Sequence, residues 1–507
     1  MKIQRDQPNK RQQHLPRLCV VDVAVMLCAT IGLAVVLATT HLVPVAYIII
    51  QVVACLGITA IVFFLTKDHK KRKLRVAGTV IAVILLIVAV VAGYYITQTV
   101  NAVRRVADAS VERSQVTFYA MQDNEAETLD DLANGMFGIL QELDRANTDA
   151  TLQQVEAEHG LTLNTIEYGS LIQLADALQD GEVDAIVLNE AYLTLYEETP
   201  GYEDFPAQLK TISTQQVEYV VEAEPEPEQS SADPMINILI SGSDTRESTI
   251  DQRGRSDVNI IASINTETHQ ILLLSTPRDY FVPLDVGVDD AYDKLTHAGI
   301  YGMDVLMGSL ENLYGIDIDY YFRINFTGFV DVIDALGGIE VYSDYEFDSN
   351  FDHKDYHFEK GFNQLNGEQA LVFARTRYAF AEGDRQRGDN QLEIVKAVLN
   401  KAMSPSILTS YLTILDSVQS CVDTSVPYDV LADLVRRQLE SNASWSIESF
   451  SVNGSDARST TYSMNQQLYV MIPDETTVQE AKNKLADLGN DVQQDDTAST
   501  PAEDPAA

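Results

Sequence analysis

A chain of 507 residues has room for two or three domains, and its 75 acids against 35 Lys and Arg give a formal net charge of −40. That balance excludes a protein that gathers on nucleic acid through its general field, because phosphate affinity comes from clustered Lys and Arg. An anion can be bound only where a few cations are locally organised.

Apolar residues crowd the first hundred positions in three runs, about 18–40, 43–65 and 76–95, each near the ~20 residues that cross a bilayer. None contains Lys or Arg, and Asp22 is the lone acid in them. The first run lacks a small-residue cleavage site and a second apolar run follows it closely, so it reads as a span and not as a signal peptide. Lys2, Arg5, Lys10, Arg11 and Arg17 precede the first span, and Lys67, Lys70, Lys71, Arg72, Lys73 and Arg75 fill the loop between the second and third. Positive charge of this kind stays inside, so residues 1–17 form a cytoplasmic tail and everything after the third span is expected outside. These segments hold 11 of the 35 basic residues, whereas only Asp6, Asp22 and Asp68 of the 75 acids precede residue 100. Cys19, Cys28 and Cys55 fall in the spans, leaving Cys421 alone outside, which excludes an intrachain disulfide or a cysteine-rich zinc site there.

Beyond residues 18–99, which hold the three spans, a stretch of 100–222 reads as a stalk and an accessory domain. The stalk is expected to continue the third helix from 101 to about 114. Residues 171–178 carry apolar side chains at helical spacing, and Asp180-Gly181 turns the chain into a buried-strand pattern at 183–188. This helix and strand resemble a piece of a solute-binding lobe, but the reading as a small α/β domain that spaces or docks its neighbour is favoured. Residues 223–234 are an acidic, Pro-rich linker with almost nothing to bury. From 235 to 488 short apolar strands, at 235–241, 258–265 and 270–275, alternate with amphipathic helices such as 326–336, which Gly337-Gly338 stops. A layered α/β domain, a central sheet flanked by helices, is the fold expected. Residues 489–507 read as a disordered acidic tail.

Four stretches place charge at the ends of apolar elements, where a scaffold can aim side chains into a cleft. They are SGSDTR at 241–246, RGRSDVNI at 253–260, LLLSTPRDY at 272–280, and FARTRYAFAEGDRQRGDNQ at 373–391. A lone Arg-Asp pair is more often a surface salt bridge. Together they supply several guanidinium forks, which match phosphate oxygens, and several carboxylates, which suit a hard divalent cation. No Ser-His-Asp or Cys-His arrangement is visible, and His297, His353 and His357 carry no catalytic pattern of their own.

These motifs in order, with KLTHAGIYG at 294–302, FVDVIDALGGIEV at 329–341 and LNGEQALVFARTRY at 365–378, resemble the LytR-CpsA-Psr family of the bacterial envelope over about residues 235–400. Three spans followed by an accessory domain are similar to its capsule-associated members. The resemblance implies a phosphotransferase that moves an anionic glycopolymer, capsular polysaccharide or teichoic acid, from undecaprenyl pyrophosphate to a peptidoglycan sugar hydroxyl. It assigns Asp244 and Asp257 to a magnesium or manganese ion on the pyrophosphate. Arg278, Arg375, Arg377 and Arg387 match the arginines that grip phosphate, with Gln391 closing the last motif. Asp279 and Asp384 match the remaining acids, for proton removal or for orienting an arginine, and Arg255 is a weaker match. Asn390 stands where the family pattern has a further Arg, and Arg385 has no counterpart and is expected at the surface. Ile300, Leu306, Leu310, Phe322, Phe326, Phe329, Val330, Ile333 and Leu336 are apolar enough to line a lipid channel or to form plain core. A transcriptional attenuator, a ligand-sensing receptor and a lipid pyrophosphate hydrolase are the rival functions. The first two need an inside domain that the short cytoplasmic segments do not supply.

Overall fold

A computed structural model describes residues 17–498, apart from 42, 69–70, 108–110, 221–233, 244–252, 352–353, 378, 381–383, 405–421 and 442. The linker at 223–233, Asp244, His353, Cys421 and the last nine residues therefore lie outside the described residues. The chain divides into two compact units, residues 1–104 with 427–442, and residues 105–426 with 443–507.

In the first unit α1 (Arg17–Thr39), α2 (Val45–Thr66) and α3 (Arg72–Ala107) contain three segments long and apolar enough to cross a membrane. Most of their large apolar side chains point outward, as lipid-facing helices require, while Asp22 is buried and accepts a hydrogen bond from Thr79 Oγ1 at 2.8 Å. The amphipathic helix Tyr428–Ser441 belongs to this unit, and its Tyr428 hydroxyl donates to the Thr40 carbonyl at 2.7 Å.

The second unit begins with a five-stranded sheet. Its elements are β1 (Val111–Met121), β2 (Met136–Leu140), α4 (Arg145–His159), β3 (Asn164–Tyr168), α5 (Leu171–Gln179), β4 (Ala185–Asn189), α6 (Leu193–Glu197) and β5 (Leu209–Val220), with strand order β3-β2-β4-β1-β5. The helical stalk expected to about 114 stops at Ala107, and Val111 already pairs with Val220. From Val116 to Ala120 all five side chains are buried, so packing between layers holds this stretch as a strand. Ser170 caps α5 by accepting from the Gln173 amide, and Ala185–Asn189 is buried at every position, as its apolar run implies.

The larger domain is built on a six-stranded mixed sheet. In chain order its elements are β6 (Met235–Ser243), β7 (Ser256–Asn265), β8 (Gln270–Ser275), β9 (Phe281–Pro283), β10 (Tyr292–Lys294), α7 (Leu295–Tyr301), α8 (Met303–Tyr314), β11 (Tyr320–Asn325) and α9 (Phe326–Ala335). There follow β12 (Ile339–Ser343), β13 (Phe347–Phe351), β14 (Lys354–Phe358), β15 (Gly361–Leu365), α10 (Gly367–Arg375), α11 (Asp384–Ala402), β16 (Val422–Thr424), β17 (Ser446–Ser451), β18 (Gly454–Thr460), β19 (Gln467–Pro473) and a helix at Glu475–Ala498. The sheet order is β16-β11-β6-β7-β8-β17, with β11 parallel to β6, β17 parallel to β8, and the hairpins β6-β7-β8 antiparallel. The last helix runs to Ala498, past the expected boundary at 488, and Leu485 and Leu488 seat it on the core.

One face of the sheet packs α7, α8 and the last helix through Leu239, Ile261, Leu272, Leu274, Leu306 and Leu310, and the other packs α11 through Ile260, Ala262, Leu273 and Leu392. Asn366 and Gln369 form a reciprocal capping box that starts α10, and Gly337 and Gly338 at positive φ end α9. Six of the nine apolar residues considered for a lipid channel divide among three clusters. Leu306 and Leu310 lie under the sheet, Ile300 packs against the accessory domain, and Phe329, Ile333 and Leu336 sit between α9 and α10. Helical periodicity identifies an apolar face but not the layer it meets.

Candidate active site

The hairpin β7-β8 builds the centre of the site. Its register pairs Ile260 with Ser275, and just beyond that end Asp257 and Arg278 meet side chain to side chain. Arg278 Nη1 donates to Asp257 Oδ1 at 2.7 Å. The segment carrying Arg278 and Asp279 is fixed from both sides, because the Thr296 amide donates to the Arg278 carbonyl at 2.8 Å and the Met471 amide to the Asp279 carbonyl at 2.7 Å. Gly299 lets α7 approach: a Cβ there would stand 2.6 Å from the Gly254 carbonyl oxygen and 3.0 Å from the Ser256 amide.

Around this pair the structure gathers three cations and three carboxylates. Arg278 Nε lies 3.5 Å from Asp279 Oδ2, and Lys294 Nζ lies 3.4 Å from Asp279 Oδ1. Lys294 also donates to Glu198 Oε2 at 3.0 Å, Arg255 Nη1 donates to Glu198 Oε1, and Arg278 Nη2 stands 3.9 Å from that same oxygen. Burial pushes the Asp257 carboxyl up, but Arg278, Arg255 and Arg377 more than offset this and hold it below the usual carboxylate range. Burial likewise raises Glu198, yet Lys294, Arg255 and Arg278 bring it down to about 2. The three carboxylates around Arg278 more than offset its own burial, so it stays charged at any accessible pH.

On the other side of Arg278 opens a cleft of about 380 Å³ lined by Asp257, Arg278, Arg385, Arg387, Gln391 and Asn453, with Pro277, Phe450 and Met471 as its apolar part. Arg387 is buried on α11, and Gln391, one turn further, donates to the Ala374 carbonyl at 3.4 Å. Arg385 is exposed, as expected, but it lines the cleft and donates to the Gly454 carbonyl at 3.0 Å. Arg377 is near enough to act on the charge of Asp257. Arg375, at the end of α10, stacks its guanidinium over the Phe326 ring at 4.1 Å and does not line this cleft. Asp384 starts α11, three residues before Arg387.

Sequence reasoning missed Glu198 and gave no role to Lys294 and Thr296, although both of the latter stand in the quoted KLTHAGIYG segment. His297 is wholly buried, with Nδ1 2.7 Å from Asp293 Oδ1; the Ser463 amide holds the second oxygen of Asp293 at 2.7 Å, which makes this a structural tie between α7 and the chain before β19. His357 is exposed beside Asp348, and with Glu346 and Glu359 it makes the group of three metal-type ligands found among the described residues, away from the cleft.

A divalent ion would need oxygen donors at Asp257. Its Oδ1 accepts from Arg278 and, at 3.2 Å, from Thr296 Oγ1, and Oδ2 takes part in neither bond. That second oxygen is a hard donor of the kind magnesium and manganese take, so the fit holds for this one ligand.

With the geometry in place, the family model of the LytR_cpsA_psr family matches residues 205–487, more than half of the chain. The chain belongs to the LytR-CpsA-Psr family. A TagU protein of Halalkalibacterium halodurans, named polyisoprenyl-teichoic acid–peptidoglycan teichoic acid transferase, is 36% identical over 252 residues, covering 48% of this chain and 76% of the relative. The protein of that name from Bacillus mycoides is 34% identical over 206 residues, 40% of this chain, and the match spans 64% of that relative's length. The crystal structure of TagV from B. subtilis is 30% identical, covers 51% of this chain and 98% of its own, and superposes with a TM-score of 0.43. A second model, DNA polymerase processivity factor, matches residues 71–188, a minority of the chain that runs through α3. The family match leaves α1 to α6 outside the shared LytR-CpsA-Psr pattern, and Glu198 with them.

Proposed function

We propose that this LytR-CpsA-Psr protein is a membrane-anchored phosphotransferase working on the outer face of the bilayer. It moves an anionic glycopolymer, capsular polysaccharide or teichoic acid, from undecaprenyl pyrophosphate to a peptidoglycan sugar hydroxyl. The relatives' names support the reaction class, and the flanking Lys and Arg of α1, α2 and α3 support the orientation. The observation that carries the reading is Arg278, hydrogen-bonded to Asp257 on the wall of a cleft that also holds Arg387.

In this mechanism the acceptor hydroxyl oxygen attacks the phosphorus that bears the polymer. A new O–P bond forms as the bridging P–O bond of the pyrophosphate breaks, and the electron pair leaves with the lipid monophosphate. Arg278 and Arg387, with Arg377 behind them, neutralise the charge that gathers on the leaving phosphate. The hydroxyl proton passes to a carboxylate, for which Asp279 and Asp384 are proposed; charge neutralisation contributes more than this transfer. Asp257 and, from the motif, Asp244 would hold a magnesium or manganese ion, which would add to the neutralisation of the phosphates.

The test is reconstitution of the full-length protein with a polyprenyl pyrophosphate-linked saccharide and a peptidoglycan fragment. Saccharide joined to the fragment and lipid monophosphate should appear in equal amounts. Lipid monophosphate without joined saccharide makes the protein a hydrolase, and neither product refutes the reading.

A further inference from the structure

The accessory domain is joined to the larger domain by core-grade packing. Tyr192, Leu195 and Tyr196 form one buried cluster with Ile300, Met464 and Leu468, each exposed by 2% or less, and the rings of Tyr192 and Tyr301 meet edge to face at 6.1 Å. A seam this dry does not open and close with substrate, since exposing it would cost several fully buried side chains. Glu198 leaves this seam directly. It stands two residues after Tyr196 and one before Thr199, both fully buried; the Tyr196 hydroxyl donates to the Leu171 carbonyl at 2.6 Å and the Thr199 hydroxyl to the Leu195 carbonyl at 2.7 Å. Its backbone is therefore fixed, and its carboxylate reaches Arg255, Lys294 and Arg278.

A second contact points the same way. Asp144, which precedes α4, lies 3.8 Å from Arg253 and is 5% exposed. Both arginines of the RGR segment thus meet accessory-domain carboxylates, and two residues later that segment becomes Asp257. Arg255, Arg278 and Lys294 are 11, 14 and 6% exposed. Among the described residues, Asp257 and Asp279 of the larger domain and Glu198 of the accessory domain face them, and Glu198 is the carboxylate that meets all three. Taking one carboxylate away from buried cations is costly.

We propose that Glu198 is a positioning residue of the transferase site, by which the accessory domain fixes Arg255, Lys294 and Arg278 and so presents Arg278 and Asp257 to the pyrophosphate. The proposal rests on the transferase reading and adds to it a residue from outside the family pattern. It gives the accessory domain a chemical role. Without its carboxylate the three cations lose their common anchor, and Arg278 is no longer held at one angle to the cleft. Misplacement of such a group is expressed in turnover more than in binding, because it degrades the geometry met at the transition state.

The experiment compares wild type with Glu198→Gln, Glu198→Ala and Glu198→Asp in the full-length protein, measuring kcat and KM for the polyprenyl pyrophosphate-linked saccharide, with the folded fraction followed by thermal unfolding. Glu198→Gln should lower kcat about tenfold per folded molecule while KM changes less, and Glu198→Asp should restore part of the loss. Glu198→Gln keeps the volume of the side chain and so stays informative if Glu198→Ala does not fold. Unchanged kcat in Glu198→Gln overturns the proposal, and so does a raised kcat or a lowered KM, which would make Glu198 a plug occupying the phosphate position. Absence of transfer by the wild type refutes the transferase reading instead, so the two failures are distinct.

Discussion

Replacing Arg278 by lysine separates a phosphate grip from a structural ion pair. In the structure one guanidinium serves Asp257 at 2.7 Å, Asp279 at 3.5 Å and Glu198 at 3.9 Å, and it still faces the cleft. A lysine ammonium keeps the positive charge among these carboxylates but cannot span them with paired donors. The fold should therefore survive Arg278→Lys at a smaller cost than removal of the charge, since the charge balance is retained. Catalysis should not survive as well. A hydrogen bond between charged groups is worth about 1.5–3 kcal/mol, so loss of one on the phosphate lowers transfer roughly tenfold to a hundredfold. Arg278→Ala removes the charge as well and leaves Asp257 and Asp279 in a buried setting, at a cost of about 3–5 kcal/mol of stability. Initial rates of saccharide transfer, read beside thermal unfolding of the same preparations, give both quantities. Wild-type rates in Arg278→Lys would refute the grip and leave a structural network as the account of these motifs.

Three further outcomes are expected. Asp257→Asn should weaken the stimulation of transfer by magnesium or manganese while the fold persists; an unchanged metal titration removes Asp257 from the metal site. Glu198 has its carboxyl depressed from 4.5 to about 2, so its contribution to stability is present above pH ~4.5 and is lost as pH falls toward 2. That depression corresponds to about 3 kcal/mol, so Glu198→Gln should unfold well below wild type at pH 7 and close to it near pH 2; a gap independent of pH refutes the charge pairing. Proteolysis of intact cells stripped of wall should release the domain after α3 and spare the 67–75 loop, and a protected domain would refute the outward orientation.

How far this site could be read from the sequence depended on the distance over which each contact is made. Asp257 on β7 and Arg278 just past the end of β8 meet at one end of a hairpin whose two strands are legible in the apolar runs at 258–265 and 270–275. The three apolar helices were equally legible, since length and composition decide them locally. The end of α3 was not, because the change from helix to strand after Ala107 is decided by pairing with β5, about a hundred residues on. Arg375 shows a different limit: its motif places it two residues from Arg377, but not that, as the last residue of α10, it stacks on the Phe326 ring.

Glu198 is the hardest case. It reaches Arg255, Arg278 and Lys294 across 57 to 96 positions, and it is one of 75 acids with no local mark. Spacing could not find it, because the contact is made between two domains. The segments RGRSD, PRD and KLTH converge on one hairpin end, where Arg255, Arg278 and Lys294 meet Asp257 and Asp279. Cations held that close in a setting mostly removed from water draw carboxylates from whatever element packs against them. Glu198 is one such carboxylate, and it lies just outside residues 205–487, which the family pattern covers.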